Sequence, residues 1–413
     1  LGYVGKVNRA KLEKLKEYGY SPQSTVGYTG VEEYYDSFLR GVEGGIQIEV
    51  NSRGQQVRIL SFKDPVQGQN ITLTLDSKIQ TAMRDLLGDS RGVIIAMDMD
   101  NGEILGTVSS PSYDPNLFTT GDNQKAAALM SKNNSPLLNR AIKGAFPPGS
   151  VFKVAMALAA LDFQKIKQQT SFICTGTYQV GDKAFRCTHA HGNQNLIEAI
   201  AHSCNIYFYH LGQMLGVDAM NRYAQELGLG NLTLIDLPYE QEGNVPGRFS
   251  KKRGAQRWYM GDILNFAIGQ GDLLTTPLQL LRMMAIVGRE GDDVQPHLIK
   301  NIGDEPVTKY SFFRHVAIDP TAYQLVNKGL RAAVNTFSGT ANAADIHGLF
   351  VAGKTGTAQT SGNQDTHAWF VGYAIGEQRK IAFCVFLEHG GSSQNATIVA
   401  RSLLMRLQEQ KYL

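Results

Sequence analysis

Ala145-Phe146-Pro147-Pro148-Gly149-Ser150-Val151-Phe152-Lys153 is a tight Pro/Pro/Gly turn that runs into Ser150, and the apolar run Val154-Ala155-Met156-Ala157-Leu158-Ala159-Ala160-Leu161 follows it. Pro and Gly punctuate and the pattern then turns helical, which predicts Ser150 at or just inside a helix N-terminus. Lys153, three residues on, shares a helix face with Ser150. A hydroxyl and an amine are thereby within reach of each other at the positive end of a buried helix. A serine is a weak nucleophile until a neighbouring base takes its proton. A lysine becomes that base when burial and the helix dipole disfavour its ammonium form. Taken alone, Ser-x-x-Lys is more often an N-cap serine with a solvated lysine, so the decision rests on what surrounds it.

Two further clusters point the same way. In Ser203-Cys204-Asn205 a hydroxyl and an amide flank one residue, so in a loop or helix start both side chains can enter one cleft. Ser203 suits proton relay, and Asn205 suits a hydrogen bond to a substrate amide and to Lys153. Gly353-Lys354-Thr355-Gly356-Thr357 sets a lysine among small and hydroxyl residues at the edge of the last strand group, a good carboxylate site. Gly356 is expected to let a ligand approach the backbone, and an extended substrate to lie along this strand. A phosphate-binding loop would need a Gly where the chain has Leu349, so that reading is set aside.

The 413 residues exceed one average domain, and the 43% hydrophobic and 19% charged content is ordinary for a globular protein with a large core. A net charge of +3 without a basic, aromatic-laced stripe gives no case for nucleic acid. No apolar run approaches the roughly 18 residues of a membrane span. Because the chain starts at Leu1 rather than Met, it is expected to be the soluble part of something longer whose signal or anchor is missing. Residues 1–65 read as a small separate piece: a charged helical stretch from Lys6 to Tyr18, then Gly45 to Val50 and Gln56 to Leu60 as strands about the turn Asn51-Ser52-Arg53-Gly54. No catalytic cluster falls in it, which suits a pedestal or interaction module. Asp64-Pro65-Val66-Gln67-Gly68 is the expected boundary, with residues 66–413 as the main domain.

In that domain Asn70 to Leu75 alternates as a strand and Ser77 to Leu87 reads as a helix. Gly92 to Met97 and Glu103 to Val108 are joined through Asn101-Gly102, a strong hairpin signal. Helical patterns follow at 151–162, 195–215, 217–228, 276–289 and 320–335, and strand runs close the chain at Ala368 to Ala374 and Lys380 to Leu387. Strands at both ends with helices between predict an α+β fold, a central antiparallel sheet flanked by helices.

Ser-x-x-Lys, Ser-x-Asn and Lys-Thr-Gly in this order form the motif set of β-lactamases and penicillin-binding proteins. Over about residues 66–413 the chain resembles the class B penicillin-binding proteins, the peptidoglycan D,D-transpeptidases, and is most like their elongation-type group, penicillin-binding protein 2. Asn139-Arg140-Ala141, Phe266 to Gly271, Thr275 to Gln279 and His367 to Tyr373 add to the likeness, and residues 1–65 look like the end of the family's pedestal, or dimerisation-type module. The resemblance implies the penicillin-binding/β-lactamase-like transpeptidase fold. It also implies Ser150 as nucleophile, Lys153 as general base, Ser203 and Asn205 in proton relay and substrate binding, and Lys354 on the substrate carboxylate. Thr355, Gly356 and Thr357 would line the donor strand, and the backbone N–H groups of Ser150 and Thr357 would form an oxyanion hole, each donor worth about 3–4 kcal/mol. The implied reaction is attack on a D-Ala-D-Ala bond and transfer of the acyl group to an amine of a neighbouring strand, with β-lactams leaving Ser150 acylated and no cofactor needed. Implied surroundings are the periplasmic face of the bacterial inner membrane, reached through an N-terminal anchor. The implied partners are a glycosyltransferase of the elongation machinery and a scaffold such as MreC, in lateral wall synthesis.

A class A β-lactamase would need a Glu in a Glu-x-x-Leu-Asn loop, and the nearest stretch, Gly261-Asp262-Ile263-Leu264-Asn265, has Gly261 there. A D,D-carboxypeptidase shares the three motifs but fits the long chain and pedestal less well. A penicillin-binding sensor without turnover is the alternative from another class.

Cys174, Cys187, His189, His191 and Cys204 crowd one region. Cys174, Cys187, His191 and Cys204 have spacings compatible with a structural zinc site of Cys₃His type. Cys204 stands between two site residues, so its thiol is expected to point behind the cleft, where zinc would pin the loop carrying Ser203 and Asn205. Some elongation-type relatives look as if they carry a metal there, with carboxylates at the two earlier positions. A Cys174–Cys187 disulfide or plain buried thiols are the alternatives. Cys384, in an apolar run, reads as core, as does the Met283-Met284 pair; His297 and His367 read as packing histidines.

Overall fold

In the computed structural model, residues 1–119, 123–130, 135–248, 258–310, 313–360, 362 and 364–413 are described. Two hairpin-forming segments far apart in the chain build one sheet: β1 (Gly92–Asp98) and β2 (Ile104–Ser110) from the first third, and β3 (Phe350–Ala358), β4 (His367–Ile375) and β5 (Lys380–Leu387) from the end. The order is β3-β4-β5-β1-β2 and every pairing is antiparallel. The Asn101-Gly102 turn joins β1 to β2 as its sequence predicts, with Gly102 at φ 84°.

β1, β4 and β5 are almost wholly apolar because both sheet faces are covered. Ile94 and Ala96 pack with Phe370, Phe383, Leu403 and Leu407 on one side, against α1 (Ser77–Leu87) and the C-terminal helix. Val93, Ile95 and Met97 pack on the other, with Trp369 and Phe386, against α2 (Lys153–Asp162), α3 (Leu196–Ala201), α4 (Asn205–Glu226), α5 (Pro277–Gly288) and α6 (Pro320–Asn335). The α+β expectation therefore holds. Cys384 and the Met283-Met284 pair are fully buried core, as read. His367 packs on Phe146 and Phe386, and burial lowers its pKa to about 4. His297 stacks on Tyr310.

Two helical expectations need correction, and two further helices are added. The 195–215 pattern is two helices, because Ser203 takes φ 57° between α3 and α4. Helix α7 (Ser393–Glu409) and a shorter helix, Met260–Ala267, lie where none was expected. The charged N-terminal stretch supplies only Arg9–Leu15 as α-helix, after a strand at Val4–Lys6.

The ribbon Gly45–Val50 with Gln56–Lys63 forms as expected and stands almost wholly exposed. The rest of the N-terminal region is tied to the body. Tyr35 donates its hydroxyl to Asp236 at 2.7 Å, and the same buried carboxylate accepts the N–H groups of Leu298 and Ile299 at 2.7 and 2.8 Å. Tyr239 donates to Glu33 at 2.7 Å, and Tyr3 stacks on Phe118. Within the body, Arg282 and Asp293 form a buried bidentate pair with both bonds at 2.8 Å. Among the described residues no helix is long and apolar enough to cross a membrane.

Candidate active site

Ser150 lies in a single 3₁₀ turn, Gly149–Phe152, that leads directly into α2. Three glycines let other segments close on this turn. Gly149 sits at φ 53° and donates to the Gly269 carbonyl at 3.0 Å. A methyl group on Gly269, itself at φ 75°, would stand 2.0 Å from the Gly149 carbonyl, and one on Gly356 would stand 2.8 Å from that of Pro148. Trp369 donates its ring N–H to the Pro147 carbonyl at 3.1 Å, and Phe146 exchanges a pair of 2.9 Å backbone bonds with Thr275. The serine is thereby set against the edge strand β3. The space beside Gly356, expected to admit a ligand, is instead filled by Pro148, Val151 and Trp369.

Lys153 is fully buried. Its Nζ donates to the Ser203 carbonyl at 2.6 Å, to Ser203 Oγ at 3.2 Å and to Asn205 Oδ1 at 2.6 Å. Asn205 is fixed in turn, with Nδ2 donating to the Arg186 carbonyl at 3.1 Å and its backbone N–H to Cys187 Sγ at 3.1 Å. The left-handed turn at Ser203 is what directs both Ser203 and Asn205 toward Lys153. Burial lowers the Lys153 pKa from 10.5 to about 8, against the opposing pull of Cys187 and Cys204.

Lys354 is also fully buried, and its Nζ donates to the Thr355 carbonyl at 3.3 Å. Burial and, after it, the Lys153 charge hold its pKa well below the usual lysine range. Expected on the substrate carboxylate, Lys354 does not itself line the cleft; Thr355 and Thr357 do. Thr355 donates to Thr340 Oγ1 at 3.0 Å. Ser150, Ser203, Asn205, Thr355 and Thr357 converge on one cleft of about 950 Å³. Its walls also carry Asn265, from the stretch compared with a β-lactamase loop, and Arg186, Tyr209 and Thr340, which the sequence did not single out; Tyr209 follows Asn205 by four residues on α4, while Arg186 and Thr340 come from separate elements. No described residue lining it is Asp or Glu, so nothing described stands in for the missing Glu at Gly261.

Behind Ser203 and Asn205 the side-chain donors of Cys174, Cys187, His191 and Cys204 lie within 4.8 Å of one another. His191 Nδ1 is 3.4 Å from Cys174 Sγ and 3.5 Å from Cys187 Sγ. All four cysteines of the chain are free thiols, so no Cys174–Cys187 disulfide is present. Hydrogen bonds from Cys204 and from the N–H groups of Asn205 and Ile206, with the Lys153 charge, outweigh burial and hold the Cys187 thiol well below its usual range. His189 stays outside the set, its ring tilted against that of His191.

The sheet, the serine turn and the buried lysine pair define a fold of the penicillin-binding kind. A family model described as the penicillin binding protein transpeptidase domain matches residues 92–405, and one described as the penicillin-binding protein dimerisation domain matches residues 1–73. The chain belongs to the penicillin-binding protein transpeptidase family. It is 33% identical to the peptidoglycan D,D-transpeptidase MrdA of Acinetobacter baumannii, over 95% of this chain and 62% of that protein's length. Among solved structures, penicillin-binding protein 2 of Pseudomonas aeruginosa in complex with WCK 5153 is 34% identical with a TM-score of 0.86, covering 98% of this chain and 86% of the other. Penicillin-binding protein 2 of Helicobacter pylori, in complex with MreC, is 31% identical with a TM-score of 0.86, covering 100% and 77%.

Proposed function

We propose that this chain is a serine D,D-transpeptidase that cross-links peptidoglycan stem peptides during lateral wall synthesis. One observation carries the reading: a fully buried lysine, one turn after Ser150, is held on Ser203 and Asn205, which line one cleft together with Ser150, Thr355 and Thr357.

Neutral Lys153 takes the proton of Ser150 as Oγ attacks the carbonyl of the penultimate D-Ala. The resulting oxyanion is received by the backbone N–H groups of Ser150 and Thr357. Ser203, in contact with Lys153 Nζ, passes the proton to the leaving amine, and terminal D-Ala departs with that proton. An amine of a second stem then attacks the Ser150 ester, its proton returns through Lys153 to Oγ, and the new amide leaves with the enzyme restored. Thr355 and Thr357 hydroxyls meet the substrate carboxylate, and Lys354 braces the strand that carries them through the Thr355 carbonyl. With no carboxylate lining the described cleft, water is poorly activated and the amine competes well.

The four thiol and imidazole donors suit zinc. Tetrahedral zinc with ordinary Zn–S and Zn–N bonds needs S···N edges of about 3.6 Å, close to the 3.4 and 3.5 Å found here. Cys174, Cys187, His191 and Cys204 would hold the ion as a structural pin for the Ser203–Asn205 turn, with no part in the reaction. Residues 1–65 serve as the pedestal and 66–413 as the transpeptidase domain. The protein works at the periplasmic face of the inner membrane with a glycosyltransferase and an MreC-like scaffold. The reported complex of the Helicobacter pylori relative with MreC supports the last of these.

Intact-mass analysis after benzylpenicillin is expected to show one covalent adduct, absent from Ser150→Ala. A D-Ala-D-Ala pentapeptide is expected to lose its terminal D-Ala. An adduct that survives in Ser150→Ala overturns the assignment, and an adduct without D-Ala release leaves only a penicillin sensor.

A further inference from the structure

The cleft carries a charge pattern that the acyl-transfer steps do not use. Its described lining has no carboxylate, while Arg186 is part of that lining. Arg186 ends the strand Lys183–Arg186 and is exposed, and among the described residues no hydrogen bond or ion pair engages its guanidinium. Its backbone, by contrast, is fixed. The Arg186 carbonyl accepts Asn205 Nδ2 at 3.1 Å and the Tyr209 hydroxyl at 3.4 Å, and the next residue, Cys187, accepts the Asn205 N–H.

An unpaired guanidinium is therefore carried on backbone tied to the same Asn205 that holds Lys153. A guanidinium fork matches a carboxylate bidentately, and such charge-assisted bonds are roughly twice as strong as neutral ones. The carboxylate at the end of the donor is already met by Thr355 and Thr357 on β3. Arg186 belongs to a separate two-stranded ribbon, paired with Thr177–Val180, so it addresses a different part of the ligand. With no acidic neighbour in the described lining, that part gains most when it is itself an acid.

We propose that Arg186 reads a second carboxylate on the donor peptide, upstream of the scissile bond. The chain thereby prefers stems that carry a free acid there over stems in which it is amidated. This selectivity rests on the acyl-transfer reading above.

The test uses two D-Ala-D-Ala pentapeptides that differ only in whether the side chain before the first D-Ala ends in a carboxylate or a carboxamide. Release of terminal D-Ala is measured for each at low salt. The acid-to-amide rate ratio is expected at about tenfold for the wild-type chain, falling toward one as salt screens the contact. In Arg186→Gln the ratio is expected near one, and in Arg186→Glu below one. A ratio cancels any loss of folded protein, so it reports selectivity alone. A wild-type ratio of one, or an unchanged ratio in Arg186→Gln, overturns the assignment. Benzylpenicillin labelling of the wild-type chain keeps the two readings apart: no Ser150 adduct sinks the acyl-transfer reading, whereas an adduct with no donor preference sinks only the role of Arg186.

Discussion

If Lys153 is the base, the reactivity of Ser150 must follow the protonation of an amine that no solvent touches. Burial lowers that amine from 10.5 to about 8. At pH 7 the neutral fraction then becomes about 10%, roughly 300-fold more than an unperturbed lysine would supply. The sign is fixed by the direction of the shift: the reactive form is scarce below pH 8 and dominant above it. The second-order rate of acylation by a fluorescent penicillin, followed from pH 6 to 9, should rise about tenfold per pH unit at the acid end and level off through an inflection near 8. Lys153→Ala removes both the inflection and the base, and acylation should fall by about 10²–10⁴-fold, the usual worth of a positioned base. A flat profile, an inflection nearer 10.5, or an inflection that survives in Lys153→Ala would refute the reasoning.

Other outcomes follow from the packing. Gly269→Ala places a methyl 2.0 Å from the Gly149 carbonyl at a positive φ, so thermal unfolding should show a loss of about 2–3 kcal/mol and penicillin labelling should slow. Arg282→Ala leaves Asp293 buried with, among the described residues, only the Arg314 side chain, at 3.2 Å, to pair with it; denaturant unfolding should register about 3–5 kcal/mol of destabilisation, and a change under 1 kcal/mol would contradict the buried pair's importance. Metal analysis should find one zinc per chain, a strong chelator should lower the unfolding temperature, and Cys204→Ser should lose the metal and acylate more slowly.

Much of the fold was legible because its signals are local. Asn101-Gly102 marks a hairpin, and runs such as Val93-Ile94-Ile95-Ala96-Met97 are apolar on both faces because helices cover both sides of the sheet. Helix α7 was overlooked although Ala396, Ala400, Leu403, Leu404 and Leu407 repeat at helical spacing; its polar start, Ser392 to Asn395, reads as loop. The break at Ser203 could not be read, since a serine gives no sign that it will take a left-handed conformation. At the site, the three motifs are short enough to identify their members, and the fold brings Ser150, Ser203, Asn205, Thr355 and Thr357 to one cleft while Lys354 stays off its lining. The depth of Lys354 was implicit in strand alternation, which sets it on the same face as Gly356 and opposite Thr355 and Thr357. Arg186 and Thr340 reach the cleft only through tertiary folding, whereas Tyr209 lies four residues after Asn205 on α4, a helical spacing that could have announced it.

The meeting of Gly149, Gly269 and Gly356 has a practical corollary. Three stretches made at different times on the ribosome must all arrive before the serine acquires its neighbours, so a chain arrested short of that moment can hold most of its helices and still ignore an antibiotic. If Ser150 takes up penicillin as proposed, uptake of a labelled penicillin counts finished molecules and can serve as a clock for the last step of maturation.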